Sequence, residues 1–394
     1  MSILYNISIH FFVFAIHIAS LFNAKAKLWI KGRKRIFQKI TEATKNQKDI
    51  VWFHCASLGE FEQGKPIIEA YKRKYPTHKI LLTFFSPSGF EIRKNYKGAD
   101  WIFYLPADTK ANAKRFIEIV NPIKVIFVKY EFWFNYMTEC KKQNIPFYSA
   151  STIFRTEQVF FKYKWFAKQL QNVTLFFMQD KTSGDLLKGI GITNYTISGD
   201  SRFDSVIATT KNPQSFPLIE QFCKTKPTII CGSTWPKDEA LLSQFIKENS
   251  QYNYIIAPHE LHHITHLQKQ TNAQLFSKAN AENINSNNVL IIDSIGILSS
   301  TYQYANIAYI GGGFGAGIHN ILEAVTFGLP VIFGPNFNKF KEANELIDLK
   351  GAISISNYKE LENAFNSFTN FDNKIAVNYI TNNSGATDII ISNI

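Results

Sequence analysis

From position 50 onward, short apolar runs alternate with stretches whose apolar residues recur at helical spacing. Runs at 50–54, 79–84, 101–104, 124–128, 146–150 and 174–178 predict strands. The intervening stretches predict helices. In 108–120, for example, Asp108 stands where a cap is expected, and Phe116, Ile119 and Val120 form an apolar side. The pattern pauses over 211–217, a polar stretch containing proline, and resumes with strands at 228–231, 254–257, 289–292, 308–310 and 331–333. Residues 278–288, rich in Asn and Ser, read as a surface loop. Alternation of this kind predicts parallel sheets wrapped by helices. The expected fold is therefore α/β, with two Rossmann-like domains at 36–210 and 211–394 and a boundary between 205 and 220. Two such sheets are expected to face a cleft at the carboxyl ends of their strands, where ligands of open parallel sheets bind.

The first 35 residues form a third segment. Residues 3–22 are mostly apolar, enough for a helix of roughly 30 Å, about one hydrocarbon thickness. Asn6, His10 and His17 interrupt the run, and Lys25, Lys27, Lys31, Arg33, Lys34 and Arg35 follow it. No basic residue precedes the run, and no small-residue cleavage site comes before Lys25, so it reads as a retained anchor or interfacial helix. The cationic flank after the run would keep the rest of the chain cytoplasmic, and the expected location is the inner membrane.

Length agrees with two domains, since 394 residues exceed one compact core. The formal charge of +12 favours an acidic partner: nucleic acid, an anionic membrane or a phosphorylated substrate. The basic cluster lies beside the apolar segment and no nucleic-acid motif is present, so the membrane explains it more simply. Cys55, Cys140, Cys223 and Cys231 are widely spaced, without Cys-x-x-Cys, which argues against a disulfide framework and for a reducing compartment.

The most informative stretch is 311–335. A glycine-rich loop (Gly311, Gly312, Gly313, Gly317) is expected to open a helix carrying His319, Asn320 and Glu323, with His319 and Glu323 on one face. A helix N-terminus there would offer N–H groups to a phosphate. The Gly-Lys-Ser/Thr of a P-loop is missing, and Phe333-Gly334-Pro335 stands where a dinucleotide site expects an acid, so a nucleotide-sugar site fits better. Ser57-Leu58-Gly59-Glu60 follows the first strand and puts Glu60 at a carboxyl edge, where it could serve as general base. Glu131 follows another strand and is a second acid on that rim. Ser233, Thr234 and His259 stand at strand ends of the second domain as candidate ligand contacts, and Arg202 could meet an anion. His259-Glu260-Leu261-His262-His263 also matches the zinc-peptidase pattern. Its position directly after a strand and Pro258 speaks against one helical turn bearing both ligands. No Asp-x-Asp that could hold a metal-bound nucleotide diphosphate is apparent, so transfer without metal or other cofactor is expected.

Taken together, Ser57-x-Gly59-Glu60, Ser86-Pro87-Ser88-Gly89, Tyr104-Leu105-Pro106-x-Asp108, Glu131-x-Trp133-x-Asn135, Gly232-Ser233-Thr234-Trp235 and Gly317-x-His319-Asn320-x-Leu322-Glu323 resemble the bacterial 3-deoxy-D-manno-octulosonic acid (Kdo) transferases over nearly the whole chain. The resemblance implies a GT-B fold, CMP-Kdo as donor and an inverting, metal-independent transfer to a phosphorylated lipid A precursor. It makes Glu60 the general base, Glu131 an acceptor-side acid and 319–323 part of the CMP site, with Glu323 toward the ribose. The chain departs from the family pattern at Lys129, where a Glu is usual, at Phe134 and Ala324, where Pro is usual, and at Ser149-Ala150-Ser151 in place of Asn-Ala-Arg. Another GT-B transferase acting on a membrane lipid is the alternative. A non-catalytic membrane-associated binding protein is a third reading, in which Glu60 would be dispensable.

Overall fold

The computed structural model describes residues 2–394. They form two compact units, residues 2–205 with Ser384–Ile394, and Val206–Asn383. The first holds a seven-stranded sheet of β1 (Ile50–Cys55), β2 (Lys79–Phe84), β3 (Trp101–Tyr104), β4 (Lys124–Val128), β5 (Phe147–Thr152), β6 (Leu175–Met178) and β7 (Tyr195–Ile197), in the order β3-β2-β1-β4-β5-β6-β7. The second holds β8 (Thr228–Thr234), β9 (Asn253–Pro258), β10 (Gln274–Leu275), β11 (Val289–Ile291), β12 (Ile307–Ile310), β13 (Val331–Phe333) and β14 (Ala352–Ser354), in the order β10-β11-β9-β8-β12-β13-β14. Every pairing is parallel. Central strands such as β1 are buried at each residue, which is why they read as nearly continuous apolar runs rather than alternating ones.

Strand order decides where a ligand can sit. The first sheet winds outward in opposite directions from β1 and β4, and the second from β8 and β12. Helices diverge at these two points and leave a crevice at the carboxyl ends. Every catalytic or binding candidate read from the sequence lies at the end of a strand or follows one at or beside these points, apart from Arg202.

The first core is strongly aromatic. Trp52 packs against Phe116, Phe127 and Tyr136 with ring centroids 4.6–5.4 Å apart, and its indole N–H donates to Thr83 at 2.7 Å. Asp108 does not cap the following helix. Thr109 caps Lys110–Val120, while Asp108 is buried and accepts from the Asn135 and Tyr136 N–H groups and the Tyr5 hydroxyl. Burial raises the Asp108 carboxyl to about 7. Ser384–Ile394 belongs to the first unit although sequence order assigns it to the second domain. Asp204 accepts from the N–H groups of Gly385 and Thr387, and Ile390 and Ile391 join Val51, Phe53 and Ile67 in one apolar cluster.

The N-terminal helix, Ser2–Ala19, is long and apolar enough to cross a membrane. It is nevertheless docked along one side. Tyr5 reaches Asp108, Asn6 accepts from Asn135, and Phe12 packs on Trp29 and Phe85. Its other side leaves Ile3, Leu4, Ile7, Phe11, Phe14 and Ile18 exposed at helical spacing.

Candidate functional site

In the first unit, Ser57 has extended backbone at the N-terminus of the helix Leu58–Lys74, which puts Glu60 in the first turn. The Ser57 hydroxyl donates to Glu60 Oε2, fixing the carboxylate. A Cβ on Gly59 would meet only the Ser57 hydroxyl, at 3.8 Å, so that face is open to a ligand. Across the switch point, Lys129 adopts φ +70°, a strained conformation for a residue with a side chain. The strain is held by one main-chain and one side-chain bond: Lys129 N–H donates to Ala150 O at 2.8 Å, and Ser149 Oγ donates to Lys129 O at 3.1 Å. The Lys129 ammonium then lies 4.0 Å from Glu60, whose side chain is 14% exposed. Glu131 is the second acid. Burial, reinforced by the charge of Glu60, raises its carboxyl to about 7. The edge thus carries one carboxylate held by a hydroxyl and faced by a cation, and a second that titrates near neutrality. The Arg202 guanidinium donates to Asp200 at 2.7–2.8 Å.

In the second unit, β8 ends in a register shift, with Ser233 at φ +53°. The Thr234 hydroxyl is buried and donates to Glu239 at 2.9 Å. Its expected role as an open ligand contact is therefore corrected: it braces the helix Pro236–Glu248. Asp238 on that helix is also buried and accepts from the N–H groups of Trp235 (2.9 Å) and Gly312 (3.0 Å) and from the Tyr309 hydroxyl (2.7 Å). It ties β8, β12 and the glycine loop together.

The helix expected to begin at the glycine loop begins later. Gly312 and Gly317 have φ +92° and +139°, and Gly312 O accepts from the N–H groups of Gly315 and Gly317. His319 N–H turns back to Gly311 O at 3.1 Å. The loop spends these donors on itself, and the helical turn Leu322–Val325 starts only after Asn320, whose side chain accepts from Leu322 N–H. His319 and Asn320 therefore precede the helix, and His319 does not share a helical face with Glu323. Asn320 instead donates to Glu323 at 3.2 Å. Gly313 has a steric duty: a Cβ there would lie 2.6 Å from the Gly334 backbone.

His319 is positioned by aromatic neighbours. Its ring stacks on His259 at 4.3 Å and lies parallel to Trp235, whose indole N–H donates to His319 Nε2 at 2.9 Å. Burial, aided by His259, lowers the His319 pKa to about 4. The ring is then neutral at pH 7, and with Nε2 accepting, Nδ1–H is the donor it can offer. His259 is exposed, stacked on Trp235, and not on a helix. His263 is engaged by Glu239 at 3.0 Å, so the zinc-peptidase geometry is absent. Among the described residues no cluster of three His, Cys, Asp or Glu could hold a metal.

A cavity of about 500 Å³ lies beside this loop, bounded by Trp235, Lys237, Gly312, Phe314, Gly317 and His319. Lys339 crosses the loop, donating to Ala316 O at 2.7 Å. Trp235, Asp238 and Lys339 are the residues that sequence reasoning missed. Trp235 stood inside a quoted motif. Lys339 follows β13 and the Gly334-Pro335 turn, a strand-end position that could have marked it.

Residues 31–205 match the family model described as 3-deoxy-D-manno-octulosonic-acid transferase. The transferase of that name from Aquifex aeolicus is 29% identical over 337 residues, covering 83% of this chain and 88% of the relative. Among solved structures, a UDP-GlcNAc 2-epimerase from Neisseria meningitidis has TM-score 0.59 at 14% identity, covering 87% and 98% of the two chains. MurG of Acinetobacter baumannii has TM-score 0.54 at 11% identity, covering 88% and 99%. These two share the fold, which is the GT-B architecture.

Proposed function

We propose that the chain is a member of the Kdo transferase family, whose model it matches over residues 31–205, and that it moves Kdo from CMP-Kdo to a glucosamine hydroxyl of a phosphorylated lipid A precursor. The observation that carries the reading is the pair of carboxylates flanking the first switch point, Glu60 held by Ser57 and faced by Lys129, and Glu131 half-buried, with its carboxyl raised to about 7. Glu60 takes the proton of the acceptor hydroxyl as its oxygen bonds to the Kdo anomeric carbon. The bond from that carbon to the CMP oxygen breaks from the opposite face, so configuration inverts and CMP leaves with the electron pair. Glu131, near its midpoint at neutral pH, gives or accepts a hydrogen bond to the acceptor.

The cavity beside the glycine loop is assigned to CMP, with His319 Nδ1–H as donor, Lys339 and Lys237 meeting the phosphate, and Glu323 the ribose hydroxyls. The leaving group is a monophosphate, whose charge these cations can meet, so the step uses no metal. The protein acts at the cytoplasmic face of the inner membrane, lying on it through the exposed side of Ser2–Ala19, since the other side is docked on the first unit.

Two results follow at the donor side. CMP should raise the melting temperature of the protein, and UMP and UDP should not; equal shifts from all three would point to another nucleotide sugar. Trp235→Phe removes the N–H that fixes the His319 tautomer, so the CMP-Kdo KM should rise about tenfold, roughly 1.4 kcal/mol, with kcat little changed. An unchanged KM would remove His319 from the donor site.

Glu131 also makes stability depend on pH. Its carboxyl is raised from 4.5 to about 7, so the folded protein holds a proton that the unfolded chain has lost. Its contribution is fully present below about 4.5 and lost as pH rises through about 7. Melting temperature should fall less across that window in Glu131→Gln than in the wild type. Parallel curves would show that Glu131 titrates in the ordinary carboxylate range.

A further inference from the structure

A cavity of about 590 Å³ in the first unit lies outside both strand-edge clusters. Val13 and His17 of the N-terminal helix form one wall, and the exposed cations Lys31, Lys34, Arg35 and Arg115 surround it. Arg33 lies on the inner side. Its guanidinium sits 3.6 Å from the Trp29 ring centroid and donates to the main-chain oxygens of Leu105, Trp29 and Phe85. None of the lining residues is acidic. Burial lowers the Arg33 pKa to about 9, as expected for a cation that has left water without a carboxylate beside it. Groups of like charge gathered around a cavity repel one another, and an anion placed among them relieves that repulsion. The helix forming one wall exposes a continuous apolar stripe from Ile3 to Ile18. The occupant that satisfies both features is an amphiphile with an anionic head.

We infer that this cavity binds the phosphate of a membrane lipid, with the acyl chains lying along the exposed stripe of the N-terminal helix. The inference rests on the membrane-surface placement proposed above, and it assigns the basic cluster to a defined headgroup site rather than to diffuse attraction.

The full-length protein is tested with vesicles of phosphatidylcholine alone and of phosphatidylcholine with phosphatidylglycerol or lipid A precursor. The variant Lys34→Glu/Arg35→Glu/Arg115→Glu changes exposed positions only. Lys341→Glu/Lys359→Glu/Lys374→Glu, exposed in the second unit, alters net charge equally. The cavity variant should lose at least tenfold in affinity for anionic vesicles and keep its affinity for phosphatidylcholine, while the control loses less than twofold. Acceptor kinetics in neutral detergent then identify the source of the phosphate. A tenfold rise in acceptor KM with unchanged donor KM assigns the site to the acceptor, and unchanged KM values with the vesicle effect intact assign it to bulk phospholipid. Wild-type protein that binds neither kind of vesicle overturns the membrane placement and this inference with it. Wild-type binding to anionic vesicles that both triple variants weaken equally, or that neither weakens, overturns this inference alone.

Discussion

Glu60→Gln should lower kcat by roughly two to four orders of magnitude, the range associated with removing a general base. The amide is isosteric and can still accept from the Ser57 hydroxyl, so the helix start Leu58–Lys74 keeps its geometry. What it lacks is the capacity to take a proton from the attacking hydroxyl. The CMP-Kdo KM and the melting temperature should stay close to wild type, because the donor residues assigned above belong to the second unit. Steady-state kinetics with both substrates varied separates these quantities. A variant retaining more than a tenth of wild-type kcat would remove Glu60 from the proton transfer. It would favour a protein whose strand-edge acids bind rather than react.

Asp238→Ala should have the largest effect on stability. Its carboxylate receives the N–H groups of Trp235 and Gly312 and the Tyr309 hydroxyl in a buried setting. Removing it strands three donors, and the two buried ones, the Gly312 N–H and the Tyr309 hydroxyl, each cost about 1–3 kcal/mol. A domain is typically stable by only about 5–15 kcal/mol, so much of the second unit's stability is at stake. The melting temperature should fall by more than about 10 °C, with CMP binding lost in the same preparation. Asp238→Asn keeps one acceptor oxygen and should lie between the two. A melting temperature within a few degrees of wild type for the alanine variant would show that the glycine loop is held by its own main-chain bonds alone.

The alternation of apolar and amphipathic stretches made the central strands legible, because a parallel strand buried on both faces has no choice but to be apolar. The strands that escaped notice, Tyr195–Ile197, Gln274–Leu275 and Ala352–Ser354, lie at sheet edges and are two or three residues long, too short to show a period. Glu60 and Glu131 could be placed at one edge because strand order follows from short crossover connections. Side-chain direction was less accessible. Thr234 looked like a ligand contact from its position, yet it points into the core toward Glu239, and the register shift after Gly232 is invisible in the sequence. Spacing placed His319 and Glu323 on one helical face, but spacing presumes a helix, and the glycines delay it by closing the loop on itself. Contacts between distant segments were hidden in the same way. The Lys129–Glu60 pair and the return of Ser384–Ile394 to the first unit depend on tertiary placement alone.

The most direct test is transfer itself. Purified protein is incubated with CMP-Kdo, generated in situ, and tetra-acylated lipid A precursor, and the lipid is read by mass spectrometry. A product heavier by one or more Kdo units, with CMP released in equal number and no product from Glu60→Gln, is the predicted result. An unchanged acceptor, with intact donor and folded protein, would contradict the account and turn attention to another nucleotide sugar or lipid.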